Sequence, residues 1–178
     1  MLKNKYEADG IEFKSEEELE FYHWLVEAKE YGFIKSFAYE PKSYDLSSKE
    51  CILVQKKLKT KTKLVEKHLF HPHEYTPDFI FEIGDRWKLL EGKDKLINSP
   101  DGMVIDVKGT FQKHDGSRSF SINQKWVYSR HRVYVNKLIP KKFFGLTWVP
   151  ETCRFTKKTN KLRSAYASYP TLLEKFGK

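Results

Sequence analysis

The sequence predicts one mixed α/β domain, and three observations carry that expectation. Stretches of helical and strand period follow one another in the order helix, strands, helix, strand, the pattern of a mixed layered fold. The chain has 178 residues and a mass of 21.2 kDa, which fits one core and does not comfortably fit two. Aromatic residues make up 15% of it, as 13 Phe, 10 Tyr and 4 Trp, a content suited to a packed interior.

The first element is a helix over residues 16–30. Ser15 followed by Glu18 has the pattern of a capping box, with Phe13 outside it as a staple residue. Leu19, Tyr22, Leu25, Val26 and Lys29 recur at helical spacing, and Gly32 supplies a stop. Residues 33–39 read as a strand closed by Glu40-Pro41, and 44–46 as a short extended piece. Residues 51–57 and 64–70 alternate apolar with basic side chains, as two antiparallel strands do. A polar turn over 59–63 makes them a β-hairpin excursion. A further strand spans 76–83, and 84–102 is a Gly, Asp and Lys-rich excursion before a short apolar strand at 103–109. A helix follows over 122–130 with Ser121 as its cap. Extended segments at 132–138 and 146–149 enclose a helical turn after Pro140. Residues 151–178 read as a basic, irregular tail with one helix at 171–176. The single domain therefore runs over 1–178, with a core over 6–150 and a basic C-terminal extension over 151–178.

Lys and Arg number 33 against 24 Asp and Glu, a net charge of +9. The charge is polarised. Residues 1–50 carry 7 basic and 12 acidic side chains, whereas from Lys108 onward 16 basic residues meet three acids, Asp115, Glu151 and Glu174. A one-sided field suits a polyanion, nucleic acid first, and a solvated basic face accounts for it equally well. Cys51 and Cys153 are too few for a disulfide framework and lack metal-ligand spacing. No run approaches the ~20 apolar residues of a membrane span, and residues 1–30 lack a signal-peptide pattern. A cytoplasmic domain with no membrane partner is the expectation. Gly109 and Gly116 lack phosphate-loop or dinucleotide spacing, so no nucleotide cofactor is expected.

The residues that carry chemistry interrupt apolar strands. In 103–109, Val104, Asp106 and Lys108 share one face because strand side chains alternate, with about 7 Å between Asp106 and Lys108 along the strand. A carboxylate and an ammonium in an apolar strand are costly to bury unless paired or coordinated. Asp78 follows Pro77 at the head of an apolar run whose core face is Phe79, Phe81 and Ile83. If the two strands are neighbours, Asp78 and Asp106 converge with Lys108 at one end of the sheet. Two carboxylates form a hard oxygen site suited to Mg2+, with Mn2+ as a substitute. A lysine there can orient or deprotonate water, or neutralise an attacked phosphate. The competing reading is a plain Asp–Lys pair beside a Pro-Asp turn. His68, His71 and His73 lack partner cysteines or paired acids and read as surface histidines.

Thr76-Pro77-Asp78 and Asp106-Val107-Lys108 resemble the signature of the PD-(D/E)xK phosphodiesterases, the restriction-endonuclease-like nucleases. The likeness extends to a phage and prophage branch through Asp9, Gly10, Phe13, Ser15 and Glu18, through Glu40-Pro41, Tyr75 and Phe79, and through 104–110, Ile139-Pro140 and 143–150. It covers residues 6–176. The chain departs from many relatives in a longer 84–102 excursion and in Asp106, where they carry Glu. The resemblance implies a restriction-endonuclease-like core, a central mixed β-sheet flanked by helices. It implies Asp78 and Asp106 as metal ligands, the Val107 carbonyl as a third, Lys108 as the catalytic lysine, and Glu18 as a further acid at the same metal. A capping box accounts for Glu18 without any such role. Gln124 and Lys125, expected to open the second helix, fall where relatives often place another polar site residue.

The resulting expectation is a Mg2+-dependent DNA endonuclease hydrolysing phosphodiester bonds. Structure-selective cutting of branched DNA, Holliday junctions or forks, is the first form of it, with a homodimer wherever paired cuts are made. Restriction-type or end-processing cleavage is one alternative, and a non-catalytic nucleic-acid-binding module on the same fold is another. Retention of Asp78, Asp106 and Lys108 weighs against the second. The expected DNA-binding residues are Lys125, Lys137, Lys141, Lys142, Arg154, Lys157, Lys158, Lys161 and Arg163, with the hairpin between Lys56 and Lys67 as the next surface.

Overall fold

A computed structural model describes residues 6–90, 95–109, 114–156 and 159–177, with the backbone alone over 114–117. In chain order the elements are β1 (Glu7–Ala8), β2 (Ile11–Glu12), α1 (Glu16–Glu30), β3 (Ile34–Tyr39), β4 (Tyr44–Ser47), β5 (Glu50–Lys57), β6 (Thr62–Phe70), β7 (His73–Tyr75) and β8 (Phe79–Ile83). A 3-10 turn (Asp85–Leu89) leads to β9 (Met103–Val107), α2 (His114–His131), β10 (Val135–Leu138), α3 (Pro140–Leu146), α4 (Glu151–Arg154) and α5 (Leu172–Phe176).

The central sheet has the order β10-β9-β8-β3 and is mixed. β3, β8 and β9 are antiparallel neighbours, while β9 and β10 run parallel. A parallel pair needs a crossover, and α2 provides it. Strand β9 is buried at all five positions because both its faces are covered. Met103, Ile105 and Val107 join a core with Phe21, Trp24 and Leu25 of α1 and Phe143 and Phe144 of α3. Val104 faces the other way, into a second cluster with Phe120 and Val127 of α2, Val135 and Leu46. The first core is aromatic: Trp24 stacks on Trp148 at 4.7 Å, and Phe21 meets Phe79 edge-on at 5.4 Å. Each fully buried ring of this kind contributes roughly 1.5–3 kcal/mol.

Helix α1 starts at Ser15, whose hydroxyl accepts from the Glu18 amide. The reciprocal half of the expected capping box is shifted by one residue, since Glu18 Oε2 accepts from the Lys14 amide at 3.0 Å. Two other expectations are corrected. Helix α2 begins at His114, eight residues before the expected start, so Ser121, Gln124 and Lys125 lie inside it. The extended segment expected over 146–149 forms no strand, and Leu146 ends α3. Asp9 and Gly10, at φ 51° and 77°, make the tight turn of the small β1–β2 hairpin.

The C-terminal segment is more than a basic tail. Cys153, Tyr166 and Leu172 are buried in the core with α1. The buried Glu20 carboxylate accepts from Arg163 Nη1 at 2.6 Å and from the Tyr166 hydroxyl at 2.5 Å, tying 163–166 to α1. Both cysteines are free, and among the described residues no helix is long and apolar enough to cross a membrane. The β5–β6 hairpin, in contrast, pairs with no other strand among the described residues. Its root is a second small sheet, β4 with β7, held against α2 by hydrogen bonds from Arg130 to the Leu46 carbonyl and from His131 to the Asp45 carbonyl.

Candidate active site

The register of β8 on β9 decides where the acids lie. Phe79 pairs with Ile105, Ile80 with Val104 and Phe81 with Met103, so one step further Asp78 comes opposite Asp106. Alternation turns both toward the face that carries Ile80 and Val104. Asp78 and Asp106 are 7% and 4% exposed, burial that an unpaired carboxylate resists. Asp78 Oδ2 accepts from the Val107 amide at 2.6 Å. In extended backbone a residue's N–H and C=O point to one edge, which directs the Val107 carbonyl to the same side. Lys108 Nζ lies 2.5 Å from Asp106 Oδ2, and its amide donates to the Leu138 carbonyl at 2.8 Å, keeping Lys108 on the sheet one residue past the strand. The group sits at the carboxyl end of the parallel pair β9–β10, the end where α/β sheets generally bind ligands.

Like charges set the electrostatics. Burial, then the charges of Asp106 and Glu18, push the Asp78 carboxyl up from 3.8 to about 7, against the opposing pull of the Val107 amide and Lys108. Tyr75, the last residue of β7, brings its phenol beside Asp106. Burial and then the Asp106 charge hold that phenol well above its ordinary range. Asp106 thus faces the Lys108 ammonium through Oδ2 and the Tyr75 phenol beside it. Two opposed carboxylates and a nearby carbonyl make a donor set that fits a hard divalent cation. Tyr75 entered the sequence reading only as part of a resemblance. Its position three residues before Asp78, across the turn at Pro77, was the available signal.

Glu18 is bonded close to its own helix start. Its Oε1 accepts from the Ser15 hydroxyl at 3.1 Å, and its Oε2 from the Lys14 amide and from the Tyr39 hydroxyl at 2.8 Å. Its charge reaches Asp78. Among the described residues no group of three or more His, Cys, Asp and Glu is placed to hold a metal. Lys14 stands at the rim, paired with Glu40 and also raised by the charges of Asp78 and Glu18.

The expected DNA-binding residues separate into groups. Register sets Lys137 beside Asp106, and Lys141 and Lys142 open α3 just past β10, all three exposed. Lys125 lies on α2 in a separate groove with Tyr128, Arg132 and Tyr134. Arg163 is committed to Glu20 and Glu16, and Arg154 to Glu174 at 2.9 Å, so both arginines brace the fold. Lys161 is exposed, and Lys157 and Lys158 lie outside the described residues. Gln124 donates to the Val135 carbonyl at 2.5 Å and positions α2 on the sheet. The rings of His68 and His71 meet tilted at 4.1 Å at the hairpin's end, and His73 bonds Asn123. Comparison with known protein families, curated proteins and solved structures finds no match.

Proposed function

We propose that this protein is a Mg2+-dependent endonuclease that hydrolyses phosphodiester bonds in DNA. The observation that carries the reading is the opposition of Asp78 and Asp106 on neighbouring strands, with Lys108 on the same face. Asp78, Asp106 and the Val107 carbonyl would hold the ion. Bound Mg2+ supplies charge neutralisation at the phosphate and a lowered pKa for water. Lys108, at 25% side-chain exposure, sits where its ammonium can meet a phosphate oxygen or orient the attacking water. Lys137, Lys141 and Lys142 flank the same strand ends and offer phosphate contacts. The resemblance to the PD-(D/E)xK nucleases agrees with a mixed sheet flanked by helices, and from it comes the preference for branched DNA. The test is incubation of purified protein with four-way junction, fork, linear duplex and single-stranded DNA, each with Mg2+ or EDTA. Cleavage is expected with Mg2+ only, strongest on the junction. No product from any substrate with Mg2+ or Mn2+ would sink the reading.

Glu18→Gln separates a metal ligand from a cap. An amide oxygen can still accept from the Lys14 amide and Tyr39, so melting should change little. Cleavage should stay within about tenfold of wild type, a change of ~1.4 kcal/mol. A loss far larger than that at unchanged melting temperature would place Glu18 at the ion.

A further inference from the structure

The β5–β6 hairpin carries chemistry that the active site does not use. Between residues 49 and 71 there are seven lysines, Lys49, Lys56, Lys57, Lys59, Lys61, Lys63 and Lys67, against Glu50 and Glu66. All seven are exposed, and among the described residues none is in an ion pair. Register makes Lys56 and Lys63 direct cross-strand partners, with Lys67 further along the same face opposite Ile52. Like charges directly opposite destabilise a ribbon. Such an arrangement becomes favourable when an anion lies across it.

We propose that this hairpin is an arm that binds the phosphate backbone of duplex DNA, with Lys56, Lys63 and Lys67 as its contact face and Lys57, Lys59 and Lys61 at its tip. The inference rests on the reading above that the substrate is DNA. Eight extended residues span roughly 27 Å, and a two-stranded ribbon has the width that the ~12 Å major groove admits. The root of the arm is also anchored near the site. Its root, β4 with β7, is bonded to α2, and β7 ends in Tyr75 beside Asp106. DNA on the arm is therefore led toward the carboxylates. On the opposite face Leu53 and Leu64 are 70% and 60% exposed, which would suit a second copy of this chain. Two arms of seven lysines each would repel, and charge complementarity selects the polyanion.

The test is binding of a labelled linear duplex in EDTA across a salt series, which removes cleavage from the readout. Three phosphate contacts contribute about 2.7 to the slope of log affinity against log salt, equivalent to roughly a 40-fold loss between 50 and 200 mM. The triple variant Lys56→Ala/Lys63→Ala/Lys67→Ala should weaken low-salt binding and flatten the slope by that amount. The charge-matched control Lys29→Ala/Lys35→Ala/Lys88→Ala should leave the slope near wild type. Melting temperatures confirm that both fold, and Lys59→Glu/Lys61→Glu at the exposed turn gives an independent loss of affinity. An arm variant with wild-type slope overturns the arm while leaving the nuclease reading intact. A wild-type protein that binds no duplex overturns the arm, whereas the nuclease reading falls only if no DNA substrate is cleaved. If the slope holds and Leu53→Ser/Leu64→Ser changes sedimentation, the arm joins copies of this chain and the proposal falls.

Discussion

Asp106→Ala should lower cleavage by about a thousandfold or more, the scale on which one preorganised charge at a reacting phosphate acts. The substitution removes one of two opposed carboxylates and the partner of Lys108. Folding should survive. Lys108 is exposed enough for its ammonium to turn to water once Asp106 is gone, and its backbone bond to Leu138 does not depend on the side chain. Asp106→Asn keeps the volume and should lose as much activity, which separates charge from packing. Mg2+ binding followed by calorimetry should disappear with cleavage in both variants. Lys108→Ala should lose cleavage and keep the ion, since an ammonium is not a ligand. Cleavage by Asp106→Ala near the wild-type rate, with the protein folded, would remove this cluster from consideration as the active site.

The pair of acids was legible in the sequence because burial makes polar residues conspicuous. Met103, Val104, Ile105 and Val107 form so continuous an apolar run that Asp106 needs a reason, and both faces of that strand do prove covered. Phe79 and Phe81 do the same for Asp78. Alternation then placed Lys108 on the Asp106 face, where the ion pair lies. What the sequence could not provide was distance between elements. Glu18 shares its pattern with a helix cap, and only the positions of Tyr39 and Lys14 decide how its oxygens are used. Arg154 and Arg163 looked like a basic surface because their partners, Glu174 and Glu20, are 20 and 143 residues away in the chain.

The elements that were misread failed for local reasons. The first turns of α2 contain Asp115, Gly116 and Ser117, residues of low helix propensity, so the helical period became visible only from Ile122. The C-terminal segment has few apolar residues per turn. Its order comes from single long-range anchors such as Tyr166 on Glu20, which no periodicity reveals. The hairpin was readable because a two-stranded ribbon keeps its alternation whether or not a face is buried.

Asp78→Asn should abolish cleavage and also stabilise the protein in EDTA, by an amount that grows with pH. The folded protein holds the Asp78 proton more tightly than the unfolded chain does, with a carboxyl raised from 3.8 to about 7. A group raised in this way contributes stability that is complete below its unfolded value and is lost as pH rises through its folded value. At pH 8 the wild-type protein therefore carries an ionised, buried carboxylate facing the charges of Asp106 and Glu18. The displacement from 3.8 to about 7 is worth roughly 4 kcal/mol at most, since water reaching the end of the sheet reduces it. Asparagine cannot ionise, and its amide oxygen can keep the bond from the Val107 amide. Each kcal/mol moves the melting temperature of a chain of this size by about 2–4 °C, so the variant should melt about 5–15 °C higher near pH 8. Near pH 4 the two proteins should melt together. Adding Mg2+ at pH 8 should raise the wild-type melting temperature and leave the variant unmoved, because only the carboxylate pair gains from the ion. A variant that melts below wild type at pH 8, or one that Mg2+ stabilises equally, would show that Asp78 is held by the fold and not kept for a cation.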